Sequence, residues 1–525
     1  MNRGIAVSSA LAALLLVGFG PQAEPKKPAS SGSIDSAISK KAAPGEDGEF
    51  LRRVMFDLVG YPPSGDQVKA FMADAGANKR VVKIDELLAT DDFADLWGRM
   101  YAEVFFGDYH NVTMDTMPKL SKASSARIVK DFINWFKMKL HKDAPWTDIV
   151  GAILDARGKD EGDPALAYKL AMFNEEGAVS EFATRVGRNF LGIRLLCAKC
   201  HDHPFDQWTV EHFYGLAAFN ARVRTRGYGN SGEKDAVDHV ELTYKDDGEV
   251  MIDPVKIDSD VVGKSKQSGV AKPFFLFGGM APPGPGIDRI KFLVPMMTGK
   301  ANKQLPKMLV NRTWGWLMGR GIVHPVDDFT ARTSKTSLSG LLDSLTSDAQ
   351  SNATSMKHVI RAICNSQAYQ LQCAADGTLV KVDFSRATVK QLTGEQLLNA
   401  VQVATKGKPD RNTGQVLQMV NSLFPAGAVW CETTPLPGTA RQALLLRNNT
   451  EIQGWIASGG VLSKIKSGAG SVEDKVDEMF LAAISRKASD SEKARYVAFI
   501  NSHSGSGFED AYWTLLNTTE FVTRH

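Results

Sequence analysis

The sequence predicts a mainly α, multi-helical protein of two lobes with a small β-hairpin insertion between them. Three observations carry this. Apolar residues recur at helical spacing through most of the chain, capping signals open several of those runs, and apolar alternation is confined to Val240–Ile252.

At 525 residues the chain is too long for one hydrophobic core. With 43% hydrophobic and 23% charged residues it has the composition of an ordinary globular protein. The 62 basic residues nearly balance 59 acidic ones, so no strong field argues for nucleic acid or an anionic surface. Five cysteines, Cys197, Cys200, Cys364, Cys373 and Cys431, are too few for a disulfide-stapled scaffold.

The chain opens on Met1-Asn2-Arg3 and an apolar run from Ile5 to Phe19, then Gly20-Pro21-Gln22-Ala23. One positive charge, a short apolar run and a small residue near its end make a secretory signal over 1–23, and the run is short for a membrane span. Pro21 lies within the cleavage region, which leaves an uncleaved anchor as the alternative. No other stretch is long and apolar enough to span a membrane, so the protein is expected to be exported to the periplasm or cell envelope. Residues 24–48, rich in Pro, Lys, Ser, Gly and Ala, read as a flexible leader.

Phe50, Leu51, Val54, Met55, Leu58 and Val59 form the first helical stripe, stopped by Gly60-Tyr61-Pro62-Pro63. Ser64 with Gln67 is a capping box for the next helix, and further helices are expected at 79–90, 93–106, 123–140 and 145–156. Val179, Phe182, Ala183, Val186, Phe190 and Ile193 line one face of an amphipathic helix, and Thr209 caps a second apolar helix through Val210, Phe213, Leu216 and Phe219. Arg226–Gly232 spells a Gly-x-Gly-x-x-Gly string without the strand–helix context of dinucleotide binding, and it reads as a loop. Val240, Leu242 and Tyr244, a turn at Asp246-Asp247-Gly248, then Val250 and Ile252 predict the hairpin. A Pro/Gly-rich connector completes the insertion over 226–286, separating a helical domain at 49–225 from another at 287–525. In that last domain helices are expected at 288–298, 303–318, 338–349, 355–369, 393–405, 411–420, 439–447, 450–457, 472–485, 490–501 and 507–521, with capping boxes at Thr393/Gln396 and Ser489/Glu492.

The sharpest chemical signal stands between the two flanking helices, at Cys197-Ala198-Lys199-Cys200-His201. Two thiols three positions apart can form thioethers to the two vinyl groups of a haem, and the histidine that follows can ligate iron. The motif's two flanking helices could wall an apolar pocket. Distal iron ligands would come from His110, Met114, Met117, His203 or His212. Export favours the haem reading, because a bare Cys-x-x-Cys tends to oxidise outside the cytoplasm; at most one disulfide can form among the other three cysteines. The alternative is zinc held by Cys197, Cys200, His201 and His203, either as a structural site or as part of a hydrolase that also uses Asp206. A third reading is an interaction module for extracellular polymers. His324, Asp327 and Asp328 could be metal ligands or acid–base groups, but an ion pair of Arg320 with one of the aspartates accounts for them as a polar turn.

Several strings resemble a large exported planctomycete two-domain family of unknown function. The first domain, named planctomycete cytochrome C-like, is matched by Leu51-Arg52-Arg53-Val54, Asp57–Pro63 and Phe190–Ile193 running into Cys197–Asp206. The C-terminal partner domain is matched by Val310–Trp314, Gly319–Phe329, Ser366–Gln370, Leu392–Leu398 and Leu515–Phe521. The resemblance implies export and haem c on Cys197 and Cys200 with His201 as iron ligand, without implying a reaction. After Phe329 the chain departs from the family's Asn-Pro-Pro-Ser-like stretch and reads Thr330–Lys335. The expected role is electron transfer, with another redox protein as partner, or haem-dependent oxidation; the motif does not decide between a carrier and an enzyme.

Overall fold

The computed structural model describes residues 28–40, 42–107, 119–173, 178–252, 269–373, 384–410, 447–503 and 505–525. The fold is mainly α, as expected, with sheets of only two or three short strands. Among the described residues no helix is long and apolar enough to cross a membrane.

The helices of the first half are α1 (Ala29–Ala37), α2 (Asp47–Leu58), α3 (Gly65–Ala73), α4 (Lys79–Leu88), α5 (Asp91–Phe106), α6 (Lys122–His141), α7 (Trp146–Asp155), α8 (Leu166–Leu170), α9 (Ala178–Val186) and α10 (Val210–Ala217). The Ser64/Gln67 capping box opens α3 as expected. Helix α1 falls inside the segment read as a flexible leader. Composition hid it, but Ile34 and Ile38 are buried and Ser31 Oγ donates to the Ala362 carbonyl at 2.8 Å, so tertiary contacts hold this piece in place.

The second half supplies α11 (Arg289–Thr298), α12 (Gln304–Met318), α13 (Ser339–Ser351), α14 (Met356–Cys364), α15 (Gly394–Lys406), α16 (Thr450–Ser458), α17 (Gly460–Ser467), α18 (Val472–Ile484), α19 (Asp490–Ser502) and α20 (Gly507–Leu516). Both expected capping boxes are present. The expected helices at 411–420 and 439–447 fall almost wholly outside the described residues.

The β insertion differs in its partners. The two segments flanking Asp246–Gly248 do not pair with each other. β2 (Val223–Tyr228) pairs antiparallel with β3 (His239–Tyr244), in register from Val223 opposite Tyr244 to Tyr228 opposite His239, and β1 (Gly158–Lys159) adds to the other edge of β3. The glycine string at Arg226–Gly232 therefore begins as a strand. Ile252 pairs with Gly269, in β4 (Met251–Ile252) and β5 (Gly269–Val270).

Three apolar clusters form among the described residues, two of them large. The larger core gathers apolar residues of the first half together with those of α11–α14, including Leu293, Trp314, Leu345 and Ile360. The smaller core is built from Leu392 onward, with Phe56 of α2 inserted into it, and a third, minor cluster joins Val210 and Ala218 to Ile252 and Ala271. The two large cores divide between Phe384 and Leu392, except that Leu481 packs in the larger one and Phe56 in the smaller.

Asp57 of α2 joins the two cores. Its buried carboxylate accepts from Arg524 Nε at 3.1 Å, Lys390 Nζ at 2.9 Å and the Tyr369 hydroxyl at 2.7 Å. Arg524 also donates to the carbonyls of Leu317 and Thr388 at 2.6 and 2.8 Å. Burial pushes the Asp57 carboxyl up, but Arg524 and Lys390 outweigh it and hold it below the usual carboxylate value. The folded state thus favours the ionised carboxylate. Its contribution is complete above the unfolded value of about 3.9 and is lost as pH falls through the lower folded value. Asp57→Asn, which leaves Arg524 buried without its counter-charge, is expected to cost roughly 3–5 kcal/mol. The loss is read as a lower urea midpoint at unchanged slope, and the variant's stability should fall less steeply below about pH 4 than the wild type's. An unchanged midpoint would mean that the pair does not hold the cores together.

Candidate functional site

The approach to Cys197 is shaped by a change of helix type. Helix α9 ends at Val186 and a π turn carries the chain from Gly187 to Leu191. Gly192 follows in the left-handed region at φ 64°, where a Cβ would lie 2.4 Å from the Phe329 ring. The amide of Phe329 donates to the Gly192 carbonyl at 2.7 Å, so chain and ring of Phe329 both close on this glycine.

The same junction carries an ion cluster. Asp327, its side chain wholly buried, accepts from Arg188 Nε at 2.5 Å and from Arg194 at 3.1 and 2.5 Å. Burial alone would raise its carboxyl; the two guanidinium groups overcome that and hold it low. Its partners are therefore the arginines flanking Phe190–Ile193, and the expected ion pair to Arg320 is replaced. Sequence patterning could not choose among so many arginines, although the placing of two of them around one motif was visible. Asn311 of α12 holds the same loop from the other side: its amide donates to the carbonyls of Val323 and Val326 at 2.8 and 3.2 Å, and its oxygen accepts from the Val323 amide at 2.9 Å.

Cys197 lies in a single 3₁₀ turn, Leu196–Lys199, with Cys200 just after it, and both thiols are free and exposed. Of the other cysteines, Cys364 and Cys373 are also free, and Cys431 lies outside the described residues. The apolar pocket expected between the flanking helices is not formed. Phe182, Val186 and Phe190 on one side and Phe213, Leu216 and Phe219 on the other are fully buried in the larger core, which leaves the motif at the surface. Leu196, next to Cys197, is 54% exposed.

Hydrogen bonds sort the three histidines around the motif. His201 Nδ1 lies 2.8 Å from the Asp202 carbonyl, which can only accept, so Nδ1 carries the proton and Nε2 keeps a free lone pair. His212 is the reverse: Nδ1 accepts from the Thr209 amide at 3.0 Å in a capping box, which places the proton on Nε2. His203 Nδ1 likewise accepts from the Phe205 amide, at 3.3 Å. His201 therefore has the tautomer that a metal bond through Nε2 requires, and His203 and His212 do not. The remaining distal candidates, His110, Met114 and Met117, lie outside the described residues. Among the described residues no group of three or more His, Cys, Asp or Glu is gathered so as to hold a metal, so the four zinc candidates do not form a closed site.

Two accessible thiols on one turn and a histidine with a free Nε2 fit the donor set of covalent haem attachment. Beyond them, the segment Phe205–Gln207 and the loop Phe329–Ser334 line an open groove of about 490 Å³.

Residues 33–225 match the family model PSCyt2, a protein of unknown function (DUF1549), and residues 289–425 match PSD1, a protein of unknown function (DUF1553). The chain belongs to this two-domain PSCyt2–PSD1 family. No curated protein and no solved structure matches it. The Asp327 cluster and the Phe329–Gly192 contact therefore join the PSCyt2 and PSD1 regions, and the groove draws one wall from each.

Gly192→Ala forces a Cβ into the left-handed region and against the Phe329 ring, at an expected cost of roughly 1–3 kcal/mol. The amide of Phe329 should exchange with deuterium faster in the variant. Unaltered exchange would show that this contact does not hold the loop.

Proposed function

We propose that this PSCyt2–PSD1 protein is exported to the periplasm or cell envelope and carries one covalent haem c, attached through Cys197 and Cys200 with His201 as an iron ligand, and that it passes electrons to another redox protein. The observation that carries this reading is the His201 tautomer, with Nδ1–H held by the Asp202 carbonyl and Nε2 free, beside two free, exposed thiols. A backbone carbonyl on the second ring nitrogen is the usual device by which a protein orients a metal-binding imidazole. When bound, the haem supplies one-electron chemistry. The surface position of the turn favours electron exchange with a docked partner over oxidation of a substrate in an enclosed pocket, since the flanking helices bury their apolar faces in the core and wall no such pocket.

The test is a visible absorption spectrum of the protein exported from a host that matures c-type cytochromes, followed by haem staining of a denaturing gel. An intense visible band and a stained polypeptide are expected. Cys200→Ala should leave haem on one thioether or remove it, and His201→Ala should change the iron spectrum while stain remains on the chain. A colourless, unstained wild-type protein overturns the proposal.

A further inference from the structure

Helix α8 turns a lysine into the core. Lys169 is 1% exposed, and its Nζ meets two oxygens, the Ala156 carbonyl at 3.1 Å and the Tyr244 hydroxyl at 2.5 Å. The carboxylates whose charge reaches it, Asp155, Asp163 and Asp288, are engaged elsewhere. Asp155 and Asp288 pair with Arg157, and Asp163 accepts from the amides of Arg157 and Ala165. Arg157 lies over the Tyr244 ring, 4.6 Å from its centre, and Lys169 Nζ is 5.2 Å from the same centre, so a permanent cation shares this ring with the amine. Helices α6 and α7 pack on α8. On α6, Arg127 is held by Asp160 and Asp131 and Lys137 by Asp95, so that helix supplies no counter-charge either.

The hydrogen bonds favour an uncharged amine. An ammonium has three N–H donors and no lone pair, so two oxygens leave one donor bare in the core and leave the Tyr244 hydroxyl proton outside the pair. A neutral amine accepts from the Tyr244 O–H on its lone pair and donates to the Ala156 carbonyl, with no charge out of water. Burial, with the Arg157 guanidinium beside it, outweighs the three aspartates and brings the amine down to about 7. Burial also pushes the Tyr244 hydroxyl up, so it keeps the proton that it donates. Next to Lys169, Tyr168 accepts from Asn189 Nδ2 at 3.1 Å and packs on Phe190 with ring centres 5.3 Å apart, both residues of the π turn.

We infer that Lys169 is an acid-sensitive latch: as a neutral amine bonded to Tyr244 it holds α8 closed on β3, and taking up a proton loosens that contact beside the π turn that leads to Cys197. The amine in place titrates near 7, whereas one opened to solvent titrates near its ordinary value of about 10.4, so opening takes up a proton throughout that interval. The closed state therefore gains as pH rises through 7 and loses as it falls.

The experiment is hydrogen–deuterium exchange of the full chain at pH 6 and pH 8, read by mass spectrometry on peptides spanning residues 166–173. After correction for the chemical exchange rate, protection should be roughly tenfold greater at pH 8. Lys169→Met fills the site without a titrating group and should be equally protected at the two pH values. In wild-type protein carrying 13C at the lysine ε carbons, one resonance should titrate near pH 7, a reading that does not depend on the variant's folding. Equal protection of the wild type at both pH values overturns the inference, as does a pH dependence retained by Lys169→Met or titration of every lysine above pH 9.

Discussion

The burial of Asp57 with Arg524 is the constraint on which the architecture rests. A carboxylate and a guanidinium taken out of water are costly unless both are fully bonded. Here the carboxylate is met by Arg524, Lys390 and Tyr369, and the guanidinium also reaches the carbonyls of Leu317 and Thr388. Meeting those demands brings four separate places to one point: the end of α2, the end of α12, the segment after α14 and the last residues of the chain. Lys390 adds a bond to the Trp316 carbonyl at 2.5 Å. Phe56, the neighbour of Asp57, enters the smaller core while Leu58 enters the larger one, so α2 belongs to both.

From that joint outward the fold is a matter of local signals and of long-range choices. The local ones were legible. Ser64 with Gln67, Thr209 with its apolar helix, Thr393 with Gln396 and Ser489 with Glu492 all begin helices where their side chains reach back to free amides. The long-range ones were not. Alternation at Val240–Tyr244 identified a strand, but only the tertiary fold shows that its partners are Val223–Tyr228 and Gly158–Lys159. Strand pairing and ion pairing are selections among many equivalent partners, and spacing along one chain carries no record of the selection.

The candidate site divides in the same way. Residue type and spacing singled out Cys197, Cys200 and His201, because thiols three apart followed by an imidazole is a pattern with chemical meaning. That pattern named His201 as the proximal donor and left His203 and His212 as distal candidates; the structure adds which ring nitrogen of each is free, set by which neighbour is a carbonyl and which an amide. Nor did the flanking apolar stripes reveal their destination. Helical periodicity says that Phe190 and Phe213 are buried, and it is silent on whether a ligand or the protein's own core covers them. Phe205 carried a weaker signal: an aromatic after Pro204 in a polar turn belongs to no apolar period.

The placement of rigid and bare groups around the motif follows one logic. Asn311 fixes the loop after α12, Asp327 ties that loop to Arg188 and Arg194, and Phe329 closes on Gly192. These bonds immobilise the backbone on both sides of the groove. By contrast Leu196, both thiols and Phe205 are left to solvent, and Asp206 keeps an oxygen without a donor. The bonded residues thus hold the backbone that precedes the turn, while the two thiols that follow stay where outside molecules can reach them. In that turn and just after it, the thiols and the imidazole lone pair are groups of the kind that suit a covalently held redox group. They follow directly on the Phe190–Arg194 segment, whose place is fixed by the Asp327 and Gly192 contacts.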